Sequence, residues 1–322
     1  MRYKTLPCLI LILKFQILFA NVGAKVPAII VFGDSSVDAG NNNFIPTLAR
    51  SNFQPYGRDF EGGIPTGRFS NGRISTDFIS EGFGIKSNIP AYLDPTYSIK
   101  DFATGVTFAS AGTGFDNVTA NIASAIPLWK EVEYFKDFQK KLINFQGKNK
   151  ARTTTRESLY ILSLGTNDFL ENYYLIPGRS SEFTIEEYQN FLIGLAEKFV
   201  LDIYKLGARK ILLTGLTAMG CLPLERARNI MSGHACREDY NKLGRDFNVK
   251  FHSLMDKLTK EVRGIKLAIS DVYGILVDAI ENPHLYGKYF HFVFTFEILI
   301  HLYDKSLIRI SVPIVLNSTL RN

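Results

Sequence analysis

The 322-residue chain is 46% hydrophobic, 21% charged and 13% aromatic, enough apolar side chain for a full-sized core, which excludes a disordered, collagen-like or small disulfide-framed protein. Its formal charge of +6 invites a nucleic-acid reading, but without the first 24 residues 34 Lys and Arg face 31 Asp and Glu and the excess falls to +3. An excess so small and evenly spread predicts no phosphate-binding surface.

The amino terminus reads as a secretory signal peptide over residues 1–24. Met1 to Lys4 is basic, Leu6 to Ala20 mostly apolar, and Val22-Gly23-Ala24 places small residues where a signal peptidase cuts. The rival reading, a membrane anchor, is disfavoured because Lys14 and Gln16 interrupt a run already shorter than the about 20 apolar residues a spanning helix needs. A secreted, extracellular or cell-wall protein with no stable membrane span is therefore expected. Cleavage removes Cys8 and leaves Cys221 and Cys236, an even pair in an oxidising compartment, so a disulfide between them is expected. The sequons at Asn117 and Asn317 are open to glycosylation in such a chain.

Five short apolar or β-branched runs, Ala28 to Phe32, Val106 to Phe108, Leu159 to Leu164, Lys210 to Leu213 and Lys266 to Ile269, read as buried parallel strands. Between them lie helical patterns. Leu128 to Phe145 sets Val132, Phe135, Leu142 and Phe145 on one face and lysines on the other. Thr184 and Glu187 form a capping box, Ile185 to Leu206 follow at apolar spacings of three and four, and Gly207 stops that helix. Glu238 to Arg263 reads as a third long helix. Strand and helix in alternation, with no linker or repeat, predict a single α/β domain over residues 25–287, a doubly wound parallel sheet whose ligand site lies beyond the carboxyl ends of its strands.

The loops at those ends carry the chemistry. The first strand runs into Gly33-Asp34-Ser35-Ser36-Val37-Asp38, where Ser35 either acts as a nucleophile or merely caps the next segment. After the second strand, Ser110-Ala111-Gly112-Thr113-Gly114 lets backbone N–H groups approach a bound oxygen; after the third, Gly165-Thr166-Asn167-Asp168 adds an amide side chain. Each alone is an ordinary turn, but three such loops in succession suggest a nucleophile facing an oxyanion hole. Neither a phosphate loop nor a dinucleotide fingerprint follows a strand, no Cys/His cluster offers a metal site, and no cofactor is expected. The lysines from Lys130 to Lys150 lack interleaved exposed aromatics and read as a solvated face, so no nucleic-acid partner is expected either.

Val31-Phe32-Gly33-Asp34-Ser35 with Asp38-Ala39-Gly40-Asn41-Asn42 resembles the first block of the plant-type GDSL (SGNH) esterase/lipase family. Pro55-Tyr56-Gly57, Thr66 to Arg73, Phe108 to Gly112, Gly165 to Asp168, Gly220-Cys221-Leu222-Pro223, Tyr240-Asn241, Asn282-Pro283 and Tyr286-Gly287 extend the resemblance from about Pro27 to Gly287. It implies a flavodoxin-like three-layer α/β/α fold and hydrolysis of a lipid, acylated-carbohydrate or small-molecule ester. Ser35 would be the nucleophile, and the Ser35 N–H, the Gly112 N–H and the Asn167 side chain the oxyanion donors.

The chain departs from that family in one respect. Its members carry Asp-x-x-His near the carboxyl end, the histidine taking the serine proton, and no such pair occurs here. The five histidines are His234, His252, His284, His291 and His301, and Glu281 with His284 is the nearest imitation. The general base and its orienting acid are therefore open, with His284 and Glu281 weak candidates and His291 and His301 also to be considered. Residues 288–322 form a divergent apolar tail, read here as a splice or gene-model product, with packing over the sheet and membrane association as alternatives. A chain lacking this dyad is expected either to be nearly inactive or to serve as a non-catalytic binder of lipid or acylated carbohydrate.

Overall fold

The computed structural model describes residues 26–176 and 178–283, together with the backbone of strands at 292–300 and 308–316. Residues 1–24, read above as a signal peptide, and His284, His291, His301 and Asn317 lie outside the described residues. Five strands, β1 (Ile29–Gly33), β2 (Gly105–Thr107), β3 (Leu159–Ser163), β4 (Lys210–Thr214) and β5 (Lys266–Ser270), form an all-parallel sheet in the order β2-β1-β3-β4-β5. Each falls on a run the sequence marks as a strand.

Alternation along each strand explains why those runs are uninterruptedly apolar. Ile30, Phe32, Tyr160, Leu162, Ile211 and Leu213 face one layer, and Ile29, Val31, Leu159, Ile161 and Leu212 face the other. The first layer is thick. Phe135, Phe138 and Leu142 of the Leu128–Gln146 helix, Leu192, Phe199 and Ile203 of the Ile185–Lys205 helix, and Phe247, Phe251 and Leu254 of the Glu238–Glu261 helix fill it. Phe32 meets Phe108, Phe135 and Phe199 with ring centroids 5.3–5.6 Å apart, each buried ring contributing about 1.5–3 kcal/mol. The second layer is thin, closed by Ile79 of the Ser75–Gly82 helix with Val37 and Ile89. The parallel sheet with helices on both faces is the three-layer α/β/α architecture expected.

Two details of the Leu128–Gln146 helix differ from the sequence reading. Its buried stripe is Leu128, Glu131, Phe135, Phe138 and Leu142, while Phe145 is 48% exposed. Trp129, 55% exposed, stands beside Lys130, so aromatics do interleave with the basic face. Elsewhere Cys221 and Cys236 form a disulfide. Beyond the sheet, β6 (Phe292–Ile300) and β7 (Ile308–Leu316) pair antiparallel.

Strand order places the site. The chain leaves β1 for β2 on one side and returns for β3 on the other, so the crossovers diverge at the carboxyl end of β1, where an open parallel sheet leaves a crevice.

Candidate active site

β1 ends at Gly33, whose φ of 146° and close approach to Ser163 exclude a side chain: a Cβ there would lie 2.4 Å from the Ser163 carbonyl oxygen. The chain then turns sharply, with the Val37 and Asp38 N–H groups both donating to the Asp34 carbonyl. This turn lifts Ser35 to a half-buried and Ser36 to an exposed position. The Asp34 carboxylate accepts the Ser36 N–H at 2.9 Å and the Ser36 hydroxyl at 2.7 Å, so it braces Ser36 rather than Ser35.

The block that follows fastens the neighbouring loop. Asp38 is fully buried and accepts from the Gly40 and Asn41 N–H groups at 2.7 and 2.8 Å and from the Ala111 N–H at 3.2 Å. The Asn41 amide donates to the carbonyls of Thr107 and Ala109, and the Asn42 amide to Ala49 and Ala111. The Ser110 hydroxyl closes the lattice by donating to the Asn42 side-chain Oδ1 at 2.5 Å. These side chains replace the sheet ladder where β2 has ended, so the Ser110–Gly114 loop is held against the Ser35 turn.

The third loop joins through Asn167 and Asp168. The half-buried Asn167 amide donates to the Thr113 carbonyl at 3.0 Å. Asp168, fully buried, accepts the Phe115 and Asp116 N–H groups at 2.8 and 3.0 Å and the Thr119 hydroxyl at 2.6 Å. The threonine of the Asn117 sequon thus has a structural use, while Asn117 itself is exposed at the start of a short helix. Ser35, Gly112 and Asn167 are therefore carried on three loops that hydrogen-bond to one another.

The distribution of free N–H groups is selective. From Gly33 to Asp38 and from Ser110 to Thr113, every backbone N–H has an acceptor among the described residues except those of Ser35 and Gly112. Gly112 has φ 93°, and a Cβ would stand 2.6 Å from that of Ala123. Such a position admits glycine alone, and an unpaired N–H in so buried a loop is costly unless it awaits an acceptor.

A family model described as GDSL-like lipase/acylhydrolase matches residues 29–289. The chain belongs to the GDSL-like lipase/acylhydrolase family. Two GDSL esterases/lipases of Arabidopsis thaliana are close relatives: At2g42990 is 58% identical over 278 residues, 86% of this chain and 79% of the relative, and At2g04570 is 58% identical over 263 residues, 82% and 75%. A third from the same plant, APG, is 40% identical over 279 residues, 87% and 79%.

In this GDSL-like protein burial sets the electrostatics of the site. Asp34 and Asp38 are both pushed up to about 6, and Asp168 to about 7, because desolvation outweighs the hydrogen bonds each receives. Glu131, also fully buried, rises well above the glutamate range, through desolvation first and then the nearby charges of Asp38 and Asp34. Sequence reasoning missed Glu131 altogether; its only signal was an acidic residue at a position where the helical stripe demands an apolar one.

None of the other described candidates hydrogen-bonds to these loops. His252 is exposed on the Glu238–Glu261 helix, and His234 is exposed with its Nδ1 3.1 Å from the Arg226 carbonyl; neither hydrogen-bonds to Ser35. Glu281 is exposed at the last residue of the Val272–Glu281 helix. Among the described residues no group of three or more His, Cys, Asp or Glu side chains could hold a metal ion, and no helix is long and apolar enough to cross a membrane.

Two further motifs are structural. Arg68 pairs bidentately with the buried Asp77 at 2.9 and 3.0 Å and also reaches the Ile89 carbonyl at 2.8 Å, fastening the β1–β2 crossover. Gly220 lies where a Cβ would meet the Arg237 carbonyl oxygen at 2.0 Å, and its N–H donates to Asn241 at 2.9 Å beside the Cys221–Cys236 bridge.

Proposed function

We propose that this chain is a secreted carboxylic-ester hydrolase in which Ser35 is the nucleophile. Its Oγ adds to the ester carbonyl, and the resulting oxyanion is received by the Ser35 and Gly112 N–H groups and by the Asn167 amide, whose second N–H is left over from Thr113. Collapse expels the alcohol, which leaves with the proton that the Ser35 hydroxyl gave up, and leaves an acyl-serine; water then adds, releases the acid and returns a proton to Ser35. The observation that carries this reading is that the Ser35 and Gly112 N–H groups have no acceptor while those of their neighbours from Gly33 to Asp38 and from Ser110 to Thr113 do. Substrates of this class are lipid, acylated-carbohydrate or small-molecule esters. Secretion is supported by the basic, apolar and small-residue order of residues 1–24 and by the pairing of Cys221 with Cys236.

A second reading rests on one sequence observation: no Asp-x-x-His occurs in the 322 residues. Without a histidine to take its proton, a serine hydroxyl is a weak nucleophile, and the chain would bind an ester without turning it over.

One experiment decides between them. Hydrolysis of p-nitrophenyl acetate and butyrate is measured for the purified chain, for Ser35→Ala, and for a version whose residues after Gly287 are replaced by a segment containing Asp-x-x-His. Turnover by the unaltered chain that drops on the order of 10⁴-fold or more in Ser35→Ala supports the enzyme, and replacement of His284, His291 and His301 in turn then locates the base. Turnover only in the tail-replaced version supports the binder. Turnover that Ser35→Ala leaves unchanged sinks both.

A further inference from the structure

Glu131 is the one inward-facing acid of the Leu128–Gln146 helix, fully buried between Leu128 and Phe135 on the stripe that covers the sheet. Its Oε2 accepts the Gly33 N–H at 2.9 Å. The reason lies in the sheet: β2 pairs with β1 only as far as Thr107 opposite Val31, and the Gly33 carbonyl is taken by the Ser110 N–H, so the Gly33 N–H, on the same side, has no ladder acceptor. Glu131 supplies one from the helix. Its second oxygen, Oε1, is buried with no hydrogen-bond partner. A carboxylate with one bare oxygen in an apolar stripe, facing the acids Asp34 and Asp38 and only the hydroxyl of Thr113, is a costly arrangement; a carboxylic acid is not.

We propose that Glu131 is a positioning residue for the nucleophile turn: held as a neutral acid, it fixes the Gly33 peptide from beneath and thereby sets where the Ser35 hydroxyl and N–H stand relative to the Ser110–Gly114 loop. The proposal rests on Ser35 being the nucleophile, but its structural half does not. Gly33 is the hinge between β1 and the turn; its N–H is tied to Glu131, its carbonyl to Ser110, and the next N–H, of Asp34, to Ser163 at 3.1 Å. Removal of the first tie leaves a buried donor orphaned directly under the turn.

The full chain is compared with Glu131→Gln, which keeps an acceptor for the Gly33 N–H and has no proton to lose, and Glu131→Leu, which fills the space without an acceptor. Three readouts are taken: Tm at pH 5 and pH 8, hydrogen–deuterium exchange of the segment 33–38, and kcat and KM for p-nitrophenyl acetate in whichever version of the chain turns over. A neutral folded Glu131 keeps its proton where an unfolded glutamate, at its ordinary 4.5, has lost it, so its contribution to stability declines as pH rises above that value. Glu131→Gln is then expected to match the parent at pH 5, to melt higher than it at pH 8, and to retain its exchange rates and kcat within a few-fold. Glu131→Leu is expected to speed exchange in 33–38 about tenfold, the loss of roughly one hydrogen bond to a buried group, and to lower kcat about 10- to 100-fold with KM unchanged.

A Glu131→Gln chain that melts lower than the parent at pH 8 overturns the neutral acid. A Glu131→Leu chain with parental exchange in 33–38, or with parental kcat, overturns the positioning role. If Ser35→Ala leaves hydrolysis untouched, the hydrolase reading fails on its own, and the melting and exchange data still decide the placement of Glu131.

Discussion

Asp38 joins two loops through one carboxylate, and at the scale of single residues the site is built from such side chains standing in for backbone ladder bonds. None of its three N–H partners, Gly40, Asn41 and Ala111, has another acceptor, so Asp38→Ala orphans three buried donors. The same logic applies more sharply to Asp77, whose removal leaves the Arg68 guanidinium uncompensated at 7% side-chain exposure. Asp77→Ala is expected to lower unfolding stability by about 3–5 kcal/mol, the usual result of breaking one half of a buried ion pair. Urea denaturation checks this, and a loss below 1 kcal/mol would show that the pair is solvated. Ser35, Gly112 and Asn167 could be singled out in the sequence because they sit in glycine- and amide-rich turns after successive strands, and the structure carries them on three loops that hydrogen-bond to one another. The partners of Asp38, Asn41 and Asp77 could not be, since a buried hydrogen bond between residues up to 73 positions apart leaves no local pattern.

The long helices and the five strands were legible as elements because their periodicities, 3.6 and uninterrupted apolar runs, are local. The Ile185–Lys205 helix shows this best: the Thr184 side chain receives the Glu187 N–H while Glu187 reaches back to the Thr184 N–H at 2.8 Å. Thr184→Ala removes the acceptor of the Glu187 N–H and the hydroxyl bond to the Glu187 carboxylate while leaving the backbone half of the box, and is expected to cost about 1 kcal/mol, read as a lower urea midpoint at unchanged m-value. The same substitution leaves Ser35 and its loops untouched, so activity should hold. Less legible were the Ser75–Gly82, Lys148–Glu157 and Val272–Glu281 helices and the π-helical turn Asp168–Leu175. These are short, and the last exists because Asp168 and Asn172 face inward to the Phe115–Thr119 segment, a tertiary demand overriding propensity. Asp168→Ala tests that account: it should melt the Asp168–Leu175 turn and loosen Asn167, lowering Tm and raising exchange in both segments together.

At the scale of the whole molecule, four buried carboxyls, Asp34, Asp38, Glu131 and Asp168, crowd the carboxyl edge of the sheet, and their sum governs how stability depends on pH. Burial lifts the first two from an ordinary 3.8 to about 6 and Asp168 to about 7, and holds Glu131 well above its ordinary range. In each case the folded chain keeps a proton that the unfolded chain has released. Between about pH 4 and pH 7 the native state thus binds more protons, and stability falls as pH rises. For Asp34 and Asp38 the shift corresponds to on the order of 2–3 kcal/mol each when fully developed. The opposing carboxylates lowered by partners, such as Glu81 with Arg73, Asp137 with Lys141 and Glu157 with Lys210, lie largely in solvent, where ion pairs contribute little. The buried set should therefore dominate, and Tm measured by calorimetry is expected to be highest near pH 4–5 and to decline toward pH 8. A Tm that climbs steadily across that range would mean that these four carboxyls titrate as if exposed. The crevice at the end of β1 would then be wet, and the free N–H groups of Ser35 and Gly112 would be satisfied by water rather than reserved for an oxyanion.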